Sequence, residues 1–348
     1  MSRLSNAVRV LAVALIAAPL VLPPGSAEAQ KLPRSATIGT NPPGTVFYAL
    51  AGALAKVATE GGPVQTAIQP YTGTSTLLPL LDSGELEFAT VNGVDMGMAY
   101  AGPQRLKVGG KNDFPHSANI RLVMRGAPLV IALLVKKDSP LKSVHDVKGK
   151  KVTGEYPAHQ AVWFNMYGLL ASGGLGWKDV NVVPVPAVND GIDALVQGRA
   201  EVTAGALGMA KIREADAAVG VRHLSIDCSP EADKRVRQAV PGYYTRIVKA
   251  KDAVAVVEDT CTIAYDIYFA TQKGASAELV NAILKPIWDA VDKLPAMHPQ
   301  FKEWTRDRAV SPDVTIPYHP AAAQFYKEKG LWPAKMDEAQ KKLLAQNP

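Results

Sequence analysis

Short apolar runs alternate with amphipathic stretches along most of the chain. Residues 36–39 are apolar and end in a Pro- and Gly-containing turn, 45–59 place apolar residues at helical spacing, and 64–69 read as a strand. A helix at 75–81, a strand at 86–91 and a helix at 93–100 continue the series. This β-α-β-α-β-α order with short connections predicts a parallel sheet covered by helices on both faces. A second series follows, with strands expected at 130–135, 151–153, 182–185, 201–204 and 221–226 and helices at 158–170, 190–196 and 209–218. Beyond it come a buried strand at 262–270 and helices at 277–293 and 321–330, separated by a Pro-rich connection at 311–320. The segment 231–237 reads only as a charged run.

The two series correspond at one visible point. Segments 80–90 and 195–204 each read as a helix end, a glycine (Gly84, Gly198) and a short strand, the glycine supplying the left-handed residue that stops the helix. The repetition predicts two similar α/β lobes. No low-complexity linker separates them, so the expected connection is strands crossing a hinge. The expected domains are 30–126 plus 250–348 for the first lobe and 127–249 for the second.

Residues 1–29 are expected to lie outside the fold. Arg3 and Arg9 precede an apolar stretch at 10–22, then Pro23, Pro24 and Gly25, then Ala27-Glu28-Ala29. A basic start, an apolar core and a small-x-small site predict a cleaved signal peptide. A membrane anchor fits less well, because the stretch is shorter than the ~20 apolar residues a spanning helix needs. Cleavage after Ala29 would place the protein in the periplasm.

The chain has 348 residues, of which 47% are hydrophobic, 7% aromatic and 20% charged, with a net charge of +6. That composition excludes disorder, collagen and coiled coil, and the modest charge argues against a nucleic-acid binder. The two cysteines, Cys228 and Cys261, either form one disulfide in an oxidising compartment or stay as buried thiols, and their spacing makes no metal site. No nucleophile elbow, phosphate loop or zinc signature is present, and the six histidines lack ligand spacing. No cofactor or metal is expected. His159 stands apart, because it sits where a strand becomes a helix.

Small and polar residues gather at such strand-to-helix turns: Thr40, Asn41 and Thr45; Thr72, Gly73, Thr74 and Ser75; Asn92 and Asp95; Glu155, Tyr156, His159 and Gln160. Gly205 follows the 201–204 strand in the same manner. In parallel α/β sheets these turns line up beyond the carboxyl ends of the strands, where ligands bind. Helix starts there offer unpaired N–H groups and a positive dipole end, suited to carboxylate or phosphate. Each of Thr45, Ser75 and Asp190 could equally cap its own helix. Four turns on one edge of two lobes predict a ligand cleft.

The run Thr37-Ile38-Gly39-Thr40, then Gly44-Thr45-Val46-Phe47-Tyr48 and 50–55, resembles the opening of the TAXI-type solute receptors of TRAP transporters. Thr72-Gly73-Thr74-Ser75 followed by 80–89 resembles that family's second signature, and 146–152, 316–322 and 325–328 add later matches. The resemblance implies a two-lobed periplasmic-binding-protein fold (type II-like), with two parallel or mixed sheets, flanking helices and a central cleft. It implies a receptor that closes on a small carboxylate or amino acid and delivers it to TRAP-type membrane permease subunits. By position it implies ligand contacts at Thr40, Asn41, Thr45, Val46, Tyr48, the 72–75 turn, Asn92 and Asp95. The second lobe departs from the family pattern, with Glu155, Tyr156 and His159 in place of a Gly-Ser-rich turn.

Glu155, facing the cleft, would pair with a ligand amine, while His159 would contact an anion and make binding depend on pH near 6 to 7. Arg125 is the arginine best placed by sequence, with a solvated surface charge as the favoured reading. Two rival readings are a ligand-sensing subunit of a signalling system and an enzyme on the same scaffold, for which Glu155 and His159 would be the adjacent titratable pair. The Lys136-Lys137 and Lys150-Lys151 pairs read as solvated faces or as contacts for acidic permease loops.

Overall fold

The fold is α/β, built on two long antiparallel strands. The structure is a computed structural model that describes residues 32–347, so the expected signal peptide lies outside the described residues. The first series forms β1 (Ser35–Thr40), α1 (Val46–Gly61), β2 (Gln65–Pro70), α2 (Thr74–Ser83), β3 (Phe88–Asn92) and α3 (Gly93–Ala101). The chain then runs through β4 (Ile120–Lys136) into β5 (Lys151–Glu155), α4 (Gln160–Ser172), β6 (Asn181–Val185), α5 (Val188–Val196), β7 (Thr203–Ala206), α6 (Ala210–Val219) and β8 (Val221–Leu224). It returns through α7 (Pro230–Ala239), β9 (Tyr244–Val248) and β10 (Thr260–Gln272) to α8 (Ala277–Asp289), α9 (Pro320–Glu328) and α10 (Ala334–Leu344).

Parallel pairs β1–β2 and β1–β3 make one lobe's sheet, which joins the C-terminal half of β10 through β3. The C-terminal half of β4 carries β7 and β8, while β9 pairs the N-terminal half of β10. The parallel β5–β6 pair lies beside them, bridged from Val152 to Val202. β4 and β10 pair along their length and thread both halves, so eight strands form one mixed sheet. The reading of 130–135 as a short strand caught only the end of β4.

The β4–β10 ladder shifts register between Asp266 and Tyr268, opposite Gly126 to Pro128. Pro128 has no N–H to give a ladder, so a strand tolerates it only at an edge or an irregularity such as this one. Apart from Arg121, Arg125 and the terminal Lys136, β4 is apolar and almost wholly buried, as a strand covered on both faces must be.

Gly84 and Gly198 adopt φ of 85° and 74° as expected of helix stops. The 231–237 run is helical: Ser229 caps α7, Pro230 opens it, and only Ala232 and Val236 are buried, too narrow a stripe to show as periodicity. α10 escaped for the same reason, with Met336 alone buried. Cys228 and Cys261 are joined in a disulfide with Cα atoms 5.8 Å apart.

Candidate functional site

The turns following β1, β5, β6 and β7 meet across one cleft. Asn189 Nδ2 donates to the Pro43 carbonyl at 3.1 Å, and Lys211 N donates to the Gly44 carbonyl at 3.3 Å. Gly44 holds a φ of 87° there, a left-handed turn that glycine adopts without strain. Gln160 N donates to Ser75 Oγ at 3.3 Å, and the Asn41 amide meets His159 Nε2 at 3.4 Å. The lobes are therefore in contact on both flanks of the cleft.

Between these contacts lies a small cavity of about 30 Å³, room for a water-sized group. Four helices point their N-terminal ends into it: Thr45 and Val46 begin α1, His159 begins α4, Val188 begins α5 and Met209 begins α6. Thr45 caps α1 by accepting from Tyr48 N, but α4, α5 and α6 have no side-chain cap from their own first residue. Their open N–H groups and dipole ends give the cavity a positive field without a charged side chain. Gly205 and its neighbours Ala204 and Ala206 supply the floor from β7, and Ile131 and Tyr265 come from the crossing strands. No Lys, Arg, Asp or Glu lines it among the described residues.

His159 is buried, and its Nδ1 has no hydrogen-bond partner. Burial pushes its pKa down to about 4, so the ring is neutral at pH 7 and offers a hydrogen bond instead of a charge. The expected titration near pH 6 to 7 is corrected accordingly.

Of the residues singled out from sequence, Asn41, Thr45, Val46, His159 and Gly205 line the cavity. Thr40 is buried behind it, accepting from Thr90 Oγ1 at 3.2 Å, and Tyr48 is half-buried outside it. Gly73 and Ser75 form the lobe contact, Thr74 is buried near Asp95, and Thr72 is exposed. Gln160 is buried and its Oε1 accepts from Asp113 N. Asn92 and Asp95 are buried and do not line the cavity.

Glu155 and Tyr156 do not reach the cavity. Both hold left-handed backbone angles, φ 69° and 48°, which turn the Glu155 side chain to solvent. Tyr156 points into its own lobe, with its hydroxyl on Thr153. Glu155 and His159 thus form no acid–base pair facing the cavity. Arg125 is also elsewhere, donating from Nε to Asp266 Oδ2 at 2.7 Å.

Sequence reading missed Val188 and Met209, although the turn rule that found Thr45 and His159 applies equally after β6 and β7. Asn165, on α4, and Tyr265, on β10, had no local signal. A larger groove of about 1360 Å³, lined by Val130, Leu207 and Gly208 among others, holds none of the expected residues.

This architecture is that of the two-lobed periplasmic binding proteins. The chain matches the NMT1-like family over residues 38–330 and belongs to that family. It is similar to a solved structure described as a periplasmic transporter, with a TM-score of 0.55 and 14% identity, covering 90% of this chain and 97% of that one. It is also similar to the alkanesulfonate-binding protein SsuA from Xanthomonas axonopodis pv. citri bound to MOPS, with a TM-score of 0.51, 14% identity and coverage of 88% and 98%. A third is PhnD1 from Prochlorococcus marinus in complex with methylphosphonate, with a TM-score of 0.53, 9% identity and coverage of 86% and 99%. Identities this low speak to the fold.

Proposed function

We propose that the chain is an extracytoplasmic receptor that captures a small anionic solute by hinge closure and delivers it to a membrane permease. The observation that carries this reading is the convergence of four helix N-termini on one cavity between lobes already in contact. Such a site holds a carboxylate through backbone N–H groups and the unpartnered His159 nitrogen. The lobes are 32–126 with 250–347, and 127–249. The β4–β10 irregularity at residues 126–128 supports a hinge there.

The TAXI-type signatures favour a TRAP-type permease as the partner, and the 1–29 segment favours export to the periplasm. The cavity wall supports binding over catalysis, since His159 and Tyr265 are its titratable groups and burial shifts both away from their ionised forms. A signalling partner in place of a permease would use the same closure.

Thermal unfolding of the purified chain against small carboxylates, sulfonates, phosphonates and amino acids tests the reading. A solute at 100 times its dissociation constant stabilises by about 2.7 kcal/mol, a shift of several degrees. A hit lost on Thr45→Ala or His159→Ala supports the site. No hit from any anion class, or steady turnover of one, would sink it.

A further inference from the structure

Asp95 lies in the first turn of α3 and is fully buried, yet neither carboxylate oxygen has a hydrogen-bond partner. Asn92 Nδ2, on the same turn, is also without one, while Asn92 Oδ1 accepts from Val94 N at 2.7 Å. Buried polar atoms in native proteins are almost always paired, and a bare carboxylate is the costliest exception. No cation among the described residues offsets it. The Thr74 hydroxyl, from the start of α2, lies near enough to favour the charged form without completing a hydrogen bond, and burial pushes the carboxyl up to about 8.

The surroundings connect Asp95 to the cavity. A Cβ on Gly242, next to Tyr243, would stand 3.0 Å from Val94 Cγ2, next to Asp95, and Tyr243 stacks on Tyr265 with centroids 5.2 Å apart. Tyr243 donates to Asn165 Oδ1 at 2.6 Å. Asn165 and Tyr265 are themselves cavity wall, so Asp95 sits one layer of side chains behind it. Asn165 belongs to α4 and Asp95 to α3, so opening the lobes parts this layer.

We infer that Asp95 is the specificity-determining acceptor for a cationic nitrogen of the solute, of the primary ammonium or guanidinium class, at a subsite deep to the present cavity. This rests on the receptor reading, in which the helix N-termini take the solute's anionic end. A group with several N–H donors satisfies both oxygens at once. A site built around a buried unpaired acceptor strongly rejects an analogue that lacks the donor.

Calorimetry on the full chain with matched pairs tests this: alanine, leucine and glutamate each against its 2-hydroxy analogue, and arginine against citrulline, which lacks the guanidinium charge. The member carrying the extra cation should bind at least about 10-fold more tightly in its best pair, and Asp95→Asn should remove that preference. Because the carboxyl must ionise to meet a cation, binding at pH 7 should release a proton, read as different heats in phosphate and Tris. Asp95→Asn should melt no lower than the unchanged protein without ligand, which separates lost specificity from lost fold. Equal or tighter binding of the analogue in every pair would overturn the subsite and leave the receptor reading standing. An unchanged preference in Asp95→Asn, or a lower melting point for it, would also overturn it. Binding of no member at millimolar concentration, in a protein that other anions do stabilise, would overturn the subsite alone.

Discussion

The side-chain amide of Asn41 meets His159 Nε2 at 3.4 Å across the cleft, although 118 positions separate them in the chain. The His159 turn also abuts the turn after β2, and that close approach depends on Gly73. A Cβ there would stand 2.4 Å from the Ala158 carbonyl oxygen and 2.7 Å from His159 Cα, both backbone atoms that cannot move aside. Gly73 has an extended φ near 180°, so alanine fits its own lobe without strain. Gly73→Ala should therefore fold with an unchanged melting temperature but close incompletely, weakening solute binding about 10-fold or more. Small-angle scattering with saturating solute checks this, the variant keeping the more open profile.

The lobes and their helices were legible because apolar periodicity and glycine stops are local, as at Gly84 and Gly198. Thr45 and His159 were legible for the same reason, each marking a strand-to-helix turn. What escaped depends on distance. Glu155 reads as a cleft residue until two consecutive left-handed backbone angles turn it outward. Arg125 reads as the best-placed arginine or as a solvated surface charge until Asp266, 141 positions away, engages it. Tyr265 and Asn165 belong to elements whose role is fixed only when β4 and β10 bring the lobes together.

Acid should open the protein before it unfolds. His159 and His223 are both buried, and burial pushes each to about 4. Below about pH 6.5 a solvent-exposed histidine takes up a proton that these buried rings refuse, so the buried state loses stability as pH falls towards 4 and no further below. The loss reaches at most about 3 kcal/mol per ring. His223 lies within one lobe on β8, so it should lower the melting temperature, and His223→Gln should flatten that slope. His159 sits between lobes, so it should lower solute affinity instead, and His159→Asn should remove its share of the fall from pH 6.5 to 4.5, leaving only the decline that protonation of Asp95 imposes. Titrating melting temperature and affinity side by side in the two variants checks the division.

Removing the disulfide should cost stability without touching the site. Cys228 follows β8 and Cys261 lies on β10, and the bridge closes a loop of 33 positions. Loop-closure entropy assigns such a cross-link about 3–4 kcal/mol. The double change Cys228→Ser with Cys261→Ser should lower the melting temperature by several degrees, and dithiothreitol should do the same to the unchanged protein. Solute affinity at 25 °C should stay within about 2-fold, since neither cysteine lines the cavity.

Asp266 should prove a hinge residue. Its two oxygens accept from Arg125 Nε and from Arg308 Nη2, each at 2.7 Å, at the point where the β4–β10 ladder slips. Both arginines keep a fifth to a quarter of their side chains exposed, so water screens part of the attraction. Asp266→Asn retains the shape but leaves two guanidinium groups facing each other without an anion, costing about 1–2 kcal/mol. The pair sits outside the cavity, so the change acts on the equilibrium between open and closed lobes instead of on solute contacts. Affinity should shift while the ranking of solutes stays fixed, whereas a residue touching solute would reorder them. A binding panel repeated on Asp266→Asn decides this: a reordered ranking would place Arg125 in the site.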